Sequence, residues 1–237
     1  KDIITDPEIH SHPGMILTKP SARAGGAFFA AVFVLVSVFF VGLSQQLIGF
    51  YAAILMLGIL GYVDDFQNTH PTSTFRILEN PLLRLILIFA AVSLIIMSGI
   101  RIGFIGNPFG GFINFDSFII NIGSNQIPVL SVIFTLVWVA WILNLLSWSN
   151  GIDGQYAGII GIASVIVAVL ALRFAPLELI HKQSAMLAEI CAGAAFGFTK
   201  YTWYPSKIMW GFGALSAGLV IATISILIKG KIVLSVL

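Results

Sequence analysis

An all-α, polytopic bundle of membrane-spanning helices, carrying one short extracytoplasmic β-hairpin, is the fold class this sequence predicts. Three observations lead there. Only 9% of the 237 residues are charged and 58% are hydrophobic, with a mean hydropathy of +1.01, whereas soluble domains carry about 25% charged residues. The apolar residues form seven separated runs, most of them approaching the ~17 to 25 residues that cross a bilayer as a helix. Nearly all the unusual polar residues sit in alternate connections between those runs. This composition excludes a soluble globular enzyme and a disordered chain. The net charge of +2, from 12 Lys and Arg against 10 Asp and Glu, excludes a nucleic-acid footprint. The single cysteine, Cys191, lies in an apolar run and reads as packing.

The elements follow in order. Runs at Ala27 to Leu43, Leu47 to Val63 and Leu82 to Ser98 predict the first three helices. Arg101 to Ile127 is too polar and Gly-rich to span. Its Phe112-Ile-Asn-Phe-Asp-Ser-Phe-Ile stretch, followed by Gly123-Ser-Asn, predicts the hairpin. Pro128 to Ser147, Tyr156 to Leu172, Ser184 to Thr199 and Ile208 to Ile228 predict four more helices, and an eighth run begins at Ile232. The expectation is one transmembrane domain over residues 1–237, a fragment lacking N- and C-terminal helices. Seven alternating crossings place the segment before Ala27, the loop from Asp64 to Pro81, the Asn150 region and the loop from Lys200 to Lys207 on one face. That face holds 7 of the Lys and Arg against 5 on the other, which favours it as cytoplasmic.

Three segments on this face could carry chemistry. Thr18-Lys-Pro-Ser-Ala-Arg-Ala-Gly-Gly sets Lys19 and Arg23 beside two glycines. Arg, through its planar fork, and Lys, as a point charge, can grip phosphate oxygens; a basic helix flank accounts for them as well. In Gly61-Tyr-Val-Asp-Asp-Phe, the adjacent carboxylates Asp64 and Asp65 end a span. They are either a solvated pair or servants of a hard cation such as Mg²⁺, which takes one or two carboxylates plus substrate phosphates. In Asn144-Leu-Leu-Ser-Trp-Ser-Asn-Gly-Ile-Asp-Gly, the residues Asn144, Ser147, Asn150 and Asp153 recur every three positions. Such a stripe has to face the bundle interior or a wet cleft, as a site or as an interhelical hydrogen-bond seam. The glycines Gly151 and Gly154 are expected to break the helix there.

These segments, in this order, resemble the polyprenyl-phosphate N-acetylhexosamine-1-phosphate transferases, which include the bacterial undecaprenyl-phosphate GlcNAc-1-phosphate transferases of glycosyltransferase family 4. The family's Lys-Pro-x-x-Arg-x-Gly-Gly matches Lys19 to Gly26, its Asp-Asp matches Asp64 and Asp65, and its Asn-rich Asp-Gly-x-Asp-Gly segment matches Asn144 to Gly154. Gly197-Phe through Pro205-Ser-Lys-Ile to Gly211 looks like a fourth family loop. The chain also departs from the pattern. Asn150 stands for an Asp, Ser147 for an Asn and Thr202 for a common Asn. Phe212 stands where the family has, after Met-Gly, an Asp that resembles a Mg²⁺ ligand.

The resemblance implies attack by an undecaprenyl (polyprenyl) phosphate oxygen on the sugar-linked phosphorus of a UDP-N-acetylhexosamine, with release of UMP. Mg²⁺, or Mn²⁺ in its place, is the implied cofactor. Asp64, Asp65 and Asp153 are then the catalytic candidates, with Asp153 and Asp64 at the metal and Asp64 or Asp65 activating the acceptor phosphate. Lys19, Arg23, Asn144, Asn150 and Lys207 are the substrate-binding candidates. Because the peptidoglycan branch has Thr where Arg23 stands, UDP-GlcNAc is favoured over the muramyl-pentapeptide donor. The implied setting is a bacterial cytoplasmic membrane with the site on the cytoplasmic face, no nucleic acid, and homodimerisation left open. A catalytically inactive family member and a transporter are the competitors; a transporter would predict inverted repeats, and none is seen. His10 and His12 read as a solvated leader, Glu189 as a snorkelling or interhelically bonded residue, and Trp138, Trp141 and Trp148 as packing and interfacial belt.

Overall fold

The computed structural model describes residues 3–6, 19–70, 76–107, 109–122, 125–174 and 179–228. His10, His12 and the run from Ile232 lie outside them. Seven α-helices are present among the described residues: α1 (Gly25–Phe40), α2 (Gln45–Thr69), α3 (Pro81–Met97), α4 (Val129–Trp148), α5 (Gln155–Phe174), α6 (Leu179–Thr202) and α7 (Ala214–Leu227). Each of the seven predicted runs up to Ile228 therefore contains a helix. By length and composition, three segments are long and apolar enough to cross a membrane, at Gln45–Thr69, Val129–Gly151 and Gln155–Arg173; α1, α3 and α7 are shorter apolar helices.

Local chemistry sets the helix starts. The Ser44 hydroxyl accepts from the Leu47 N–H at 3.3 Å to cap α2. The Asn80 side chain accepts from Leu82 N–H at 2.9 Å, ahead of Pro81 in the first turn of α3. The expectation for the seventh run needs correction. Its first residues, Ile208–Met209, form strand β7, and the helix begins only at Ala214, because Ile208 and Met209 pair with the N-terminal segment and a turn follows.

Apolar on every side, α7 is buried along almost its whole length, the signature of a helix enclosed by others. It packs against α1, α2, α4, α5 and α6. The outward faces of the surrounding helices carry exposed Leu35, Phe39, Ile59, Val137 and Val169, a surface suited to lipid. Glu189 is exposed on α6.

Three glycines set how closely the central elements meet. A Cβ on Gly26 of α1 would lie 2.1 Å from the Gly213 carbonyl carbon, and one on Gly61 of α2 would lie 2.2 Å from the Gly213 Cα. Only bare backbone permits that approach. It draws the start of α1, the late turns of α2 and the entry to α7 to one point.

At that end, β1 (Ile4–Thr5), β2 (Ser21–Arg23) and β7 form a three-stranded sheet in the order β1-β2-β7. The β1-β2 pairing is antiparallel, and β2 runs parallel to β7 with Arg23 opposite Met209. At the other end the structure has two hairpins instead of the single one expected. Phe112–Asn114 (β4) pairs back onto Phe104–Gly106 (β3), while Ile119–Ile122 (β5) pairs with Asn125–Pro128 (β6). Ser131 and Thr135 of α4 anchor this region by taking both backbone groups of Ile102, at 2.9 Å each.

Candidate active site

The sheet delivers the first cations. The Arg23 N–H donates to the Ile3 carbonyl at 2.8 Å, the Ala22 N–H to the Lys207 carbonyl at 3.1 Å, and the Gly26 N–H to the Trp210 carbonyl at 2.9 Å. These bonds tie the basic N-terminal segment to the loop that enters α7. Lys19, Arg23 and Lys207 are thereby brought to one edge, with Lys19 and Lys207 exposed. Between Arg23 and α1, Ala24 adopts φ +113°, a region costly for a residue with a Cβ.

Each acidic residue at the end of α2 meets an arginine. Arg84 of α3 bonds through Nη2 to Asp64 Oδ1, and Asn68 Nδ2 donates to Asp64 Oδ2 at 2.8 Å. The turn before α3 positions this arginine. Gln67 accepts from the Leu78 N–H at 3.1 Å, and the Leu78 carbonyl accepts from Arg84 Nε. The Arg23 Nε lies 3.6 Å from Asp65 Oδ1, which also accepts the Phe212 N–H at 3.1 Å. The Asp65 side chain is 1% exposed, and its Oδ2 has no hydrogen-bond partner among the described residues. Gly211 closes over that oxygen at φ +63°; a Cβ there would stand 1.9 Å from it. The Phe212 ring lies 5.1 Å from the Arg84 guanidinium carbon, within cation–π reach.

The third segment splits. α4 ends at Trp148, and a 3₁₀ turn follows over Ser149–Gly151, so the three-residue stripe does not keep one direction. Asn150 donates to the Gly211 carbonyl at 2.9 Å, and Asp153 Oδ2 accepts the Ser206 N–H at 2.9 Å. Both line a crevice of about 10 Å³ with Thr202, Ser206 and Trp210, room for about one water. Trp210, nearly fully buried, holds this crevice to the core through ring contacts with Phe29, Tyr156 and Phe198. Asn144 sits elsewhere. Its amide turns back to the Ala140 carbonyl at 2.7 Å, and it lines a separate, mostly apolar groove of about 310 Å³ with Phe89, Trp141 and Trp148.

The structure thus joins Arg23, Asp64, Asp65 and Asn150 around Gly211–Phe212, with Lys19 just ahead of β2 and Lys207 just ahead of β7. Among the described residues no three of His, Cys, Asp and Glu come together as a metal-holding group, so Asp153 does not form one with Asp64 and Asp65. Sequence reasoning missed Arg84, Asn68 and the Phe212 N–H. A charge only three residues into an apolar run was the available signal for Arg84; a main-chain donor leaves none.

Comparison with known proteins points the same way. The family described as Glycosyl transferase family 4 matches residues 47–229. A phospho-N-acetylmuramoyl-pentapeptide-transferase of Streptococcus suis (strain 05ZYH33) is 29% identical over 218 residues, covering 86% of this chain and 58% of the relative. One from Acetivibrio thermocellus is 26% identical over 211 residues, covering 89% and 60%, and one from Clostridium beijerinckii is 28% identical over 188 residues, covering 79% and 53%. The chain spans 53–60% of the length of these three curated relatives.

Proposed function

The chain belongs to glycosyl transferase family 4, and on that premise we propose that it transfers an N-acetylhexosamine 1-phosphate from a UDP-sugar to a polyprenyl phosphate, releasing UMP. The observation that carries this reading is the concentration of Arg23, Arg84, Lys19 and Lys207 at one end of an otherwise apolar bundle. A lipid acceptor keeps its tail among the helices while its phosphate meets a soluble nucleotide at that end. All seven helices cross the bilayer in this reading, with the motif end in the cytoplasm.

An oxygen of the acceptor phosphate attacks the phosphorus that bears the sugar, the bond from that phosphorus to the UMP oxygen breaks, and UMP leaves with the electron pair. A phosphate monoester, with a second pKa of about 6, is already largely ionised at neutral pH. It needs placing more than deprotonating. Phosphoryl transfer rests on positioning and charge neutralisation, which Arg23 and Arg84 supply beside the phosphates while Lys19 and Lys207 draw them in. Asn150 and Asp153 shape the neighbouring crevice.

Enzymes of this family generally depend on Mg²⁺. That ion demands near-octahedral oxygen ligands at about 2.0–2.1 Å, and the donor set does not fit it as it stands. Asp64 has a donor on each oxygen, from Arg84 and Asn68, Asp65 is sealed under Gly211, and Asp153, which gives Oδ2 to the Ser206 N–H, stands apart from the other two. The transfer described above therefore runs on the chain's own cations.

For the donor, Arg23 in its motif favours UDP-GlcNAc. A second reading, UDP-N-acetylmuramoyl-pentapeptide, is favoured by the names of the relatives. UMP release from each donor, by the full-length protein in detergent with undecaprenyl phosphate, tests both. Lipid-dependent release is expected with one of them, and folded protein that releases UMP from neither would overturn the transferase reading.

A further inference from the structure

We propose that this chain holds its substrate phosphates without a divalent cation: Arg84 and Arg23 take the metal's place, and Asp64 and Asp65 are positioning residues for them. The inference rests on the substrate classes proposed above, and goes beyond them in assigning the chemistry of the site.

Occupancy of the carboxylate oxygens is the first argument. A metal ligand has to present a lone pair to the ion, and each Asp64 oxygen already carries a fixed donor, Oδ1 the Arg84 Nη2 and Oδ2 the Asn68 amide, which leaves at most one lone pair per oxygen, beside a bound cation. Asp65 offers Oδ1 to the Phe212 N–H and the Arg23 guanidinium. Its Oδ2 faces Gly211 so closely that not even a methyl group fits between them. Mg²⁺ dehydrates reluctantly and keeps several waters; the main chain of residues 211 and 212 stands where that shell would go.

Charge gives the second argument. Each guanidinium already faces a carboxylate, Arg84 that of Asp64 and Arg23 that of Asp65. A divalent ion among them would meet two fixed cations whose counter-charges are already spent. The third argument is Phe212. Its ring covers one side of the Arg84 guanidinium and brings no oxygen to the site.

The arginines keep donors to spare. The Arg84 side chain is 32% exposed and that of Arg23 17%. Arg84 bonds through Nε to Leu78 and through Nη2 to Asp64, while Nη1 makes no hydrogen bond to any described residue. A guanidinium held on two sides and open on the third is oriented for a phosphate oxygen. Asp64 fixes that orientation of Arg84 by a hydrogen bond, while Asp65 faces Arg23 only as a counter-charge, 3.6 Å from its Nε.

Mn²⁺, a paramagnetic stand-in for Mg²⁺, provides the test with full-length protein in detergent. Titrated with and without UDP-GlcNAc or undecaprenyl phosphate, it is expected to lose no more of its free-ion resonance than the same probes take up in the absence of protein. Saturable uptake of Mn²⁺ that Mg²⁺ reverses would overturn the inference, and UMP release in the same sample would leave the transferase reading standing. In parallel, the affinity for UDP-GlcNAc and undecaprenyl phosphate is read in EDTA and in Mg²⁺, and is expected to agree within about twofold. Arg84→Met should weaken binding about tenfold in EDTA, the scale of a lost charge-assisted hydrogen bond, and Arg84→Lys should recover part of it. Asp64→Asn should weaken binding equally in both media, whereas a loss confined to Mg²⁺ would mark Asp64 as a metal ligand and defeat the proposal. Metal-independent binding without UMP release from either donor would sustain the inference and reject the transferase reading. Failure of both probes to bind would end both.

Discussion

Ala24 is the residue under the clearest local strain. It links Arg23 to α1 at φ +113°, where a Cβ crowds the neighbouring carbonyl. Ala24→Gly is expected to raise stability by about 1 kcal/mol, measured as an increase in Tm of the detergent-solubilised protein. An unchanged or lowered Tm would show that the strain is absent or that the alanine methyl packs productively. Around it, single residues differed in how far they could be read in advance. Lys19, Arg23, Asp64 and Asp65 stand out as charges in an apolar chain. The bond between Arg84 and Asp64 does not, because it spans 20 positions and depends on how Gln67 and Leu78 shape the turn between α2 and α3. The Phe212 ring reads in the sequence as a lost carboxylate, yet in the fold its N–H is a donor to Asp65 and its ring a neighbour of Arg84.

Elements meet at this site because three of them lack side chains where they touch. Gly26, Gly61 and Gly213 bring α1, α2 and the entry to α7 into backbone contact. Gly61→Ala would drive a methyl against the Gly213 main chain, which cannot move as a flexible side chain can. A loss of about 2 kcal/mol or more is expected. Gly158→Ala on α5 is the comparison, since a Cβ there meets nothing within 4 Å. It should be neutral or stabilising by up to about 1 kcal/mol. Thermal denaturation of both variants checks the pair, and equal effects would contradict the close approach. The same geometry explains why the seventh helix starts later than its hydropathy suggests. Ile208 and Met209 are apolar enough to read as helix, but their backbone groups are taken by β2.

For the molecule as a whole, the arrangement is a central apolar helix enclosed by others, with a charged cluster at one end and two hairpins at the opposite end. The topology is open to a direct check. Cys191 is fully buried, so the native chain gives little background for labelling with a membrane-impermeant maleimide. In sealed, oriented vesicles, Lys207→Cys and Ser117→Cys are expected to label from opposite sides. Labelling of both from one side would refute the crossing pattern proposed for the seven helices.

By itself the sequence determined the membrane class, the approximate limits of the seven helices among the described residues, and the segments that carry charge. Composition and period are local properties, written along the chain. Tertiary structure alone decided which charge meets which. It paired Asp64 with Arg84 and Asp65 with Arg23, set Asp153 against Ser206, and turned Asn144 into a separate groove. Those outcomes depend on distances between elements far apart in the chain, and the distances follow from glycine contacts and a short parallel strand pairing whose partners cannot be matched by spacing alone.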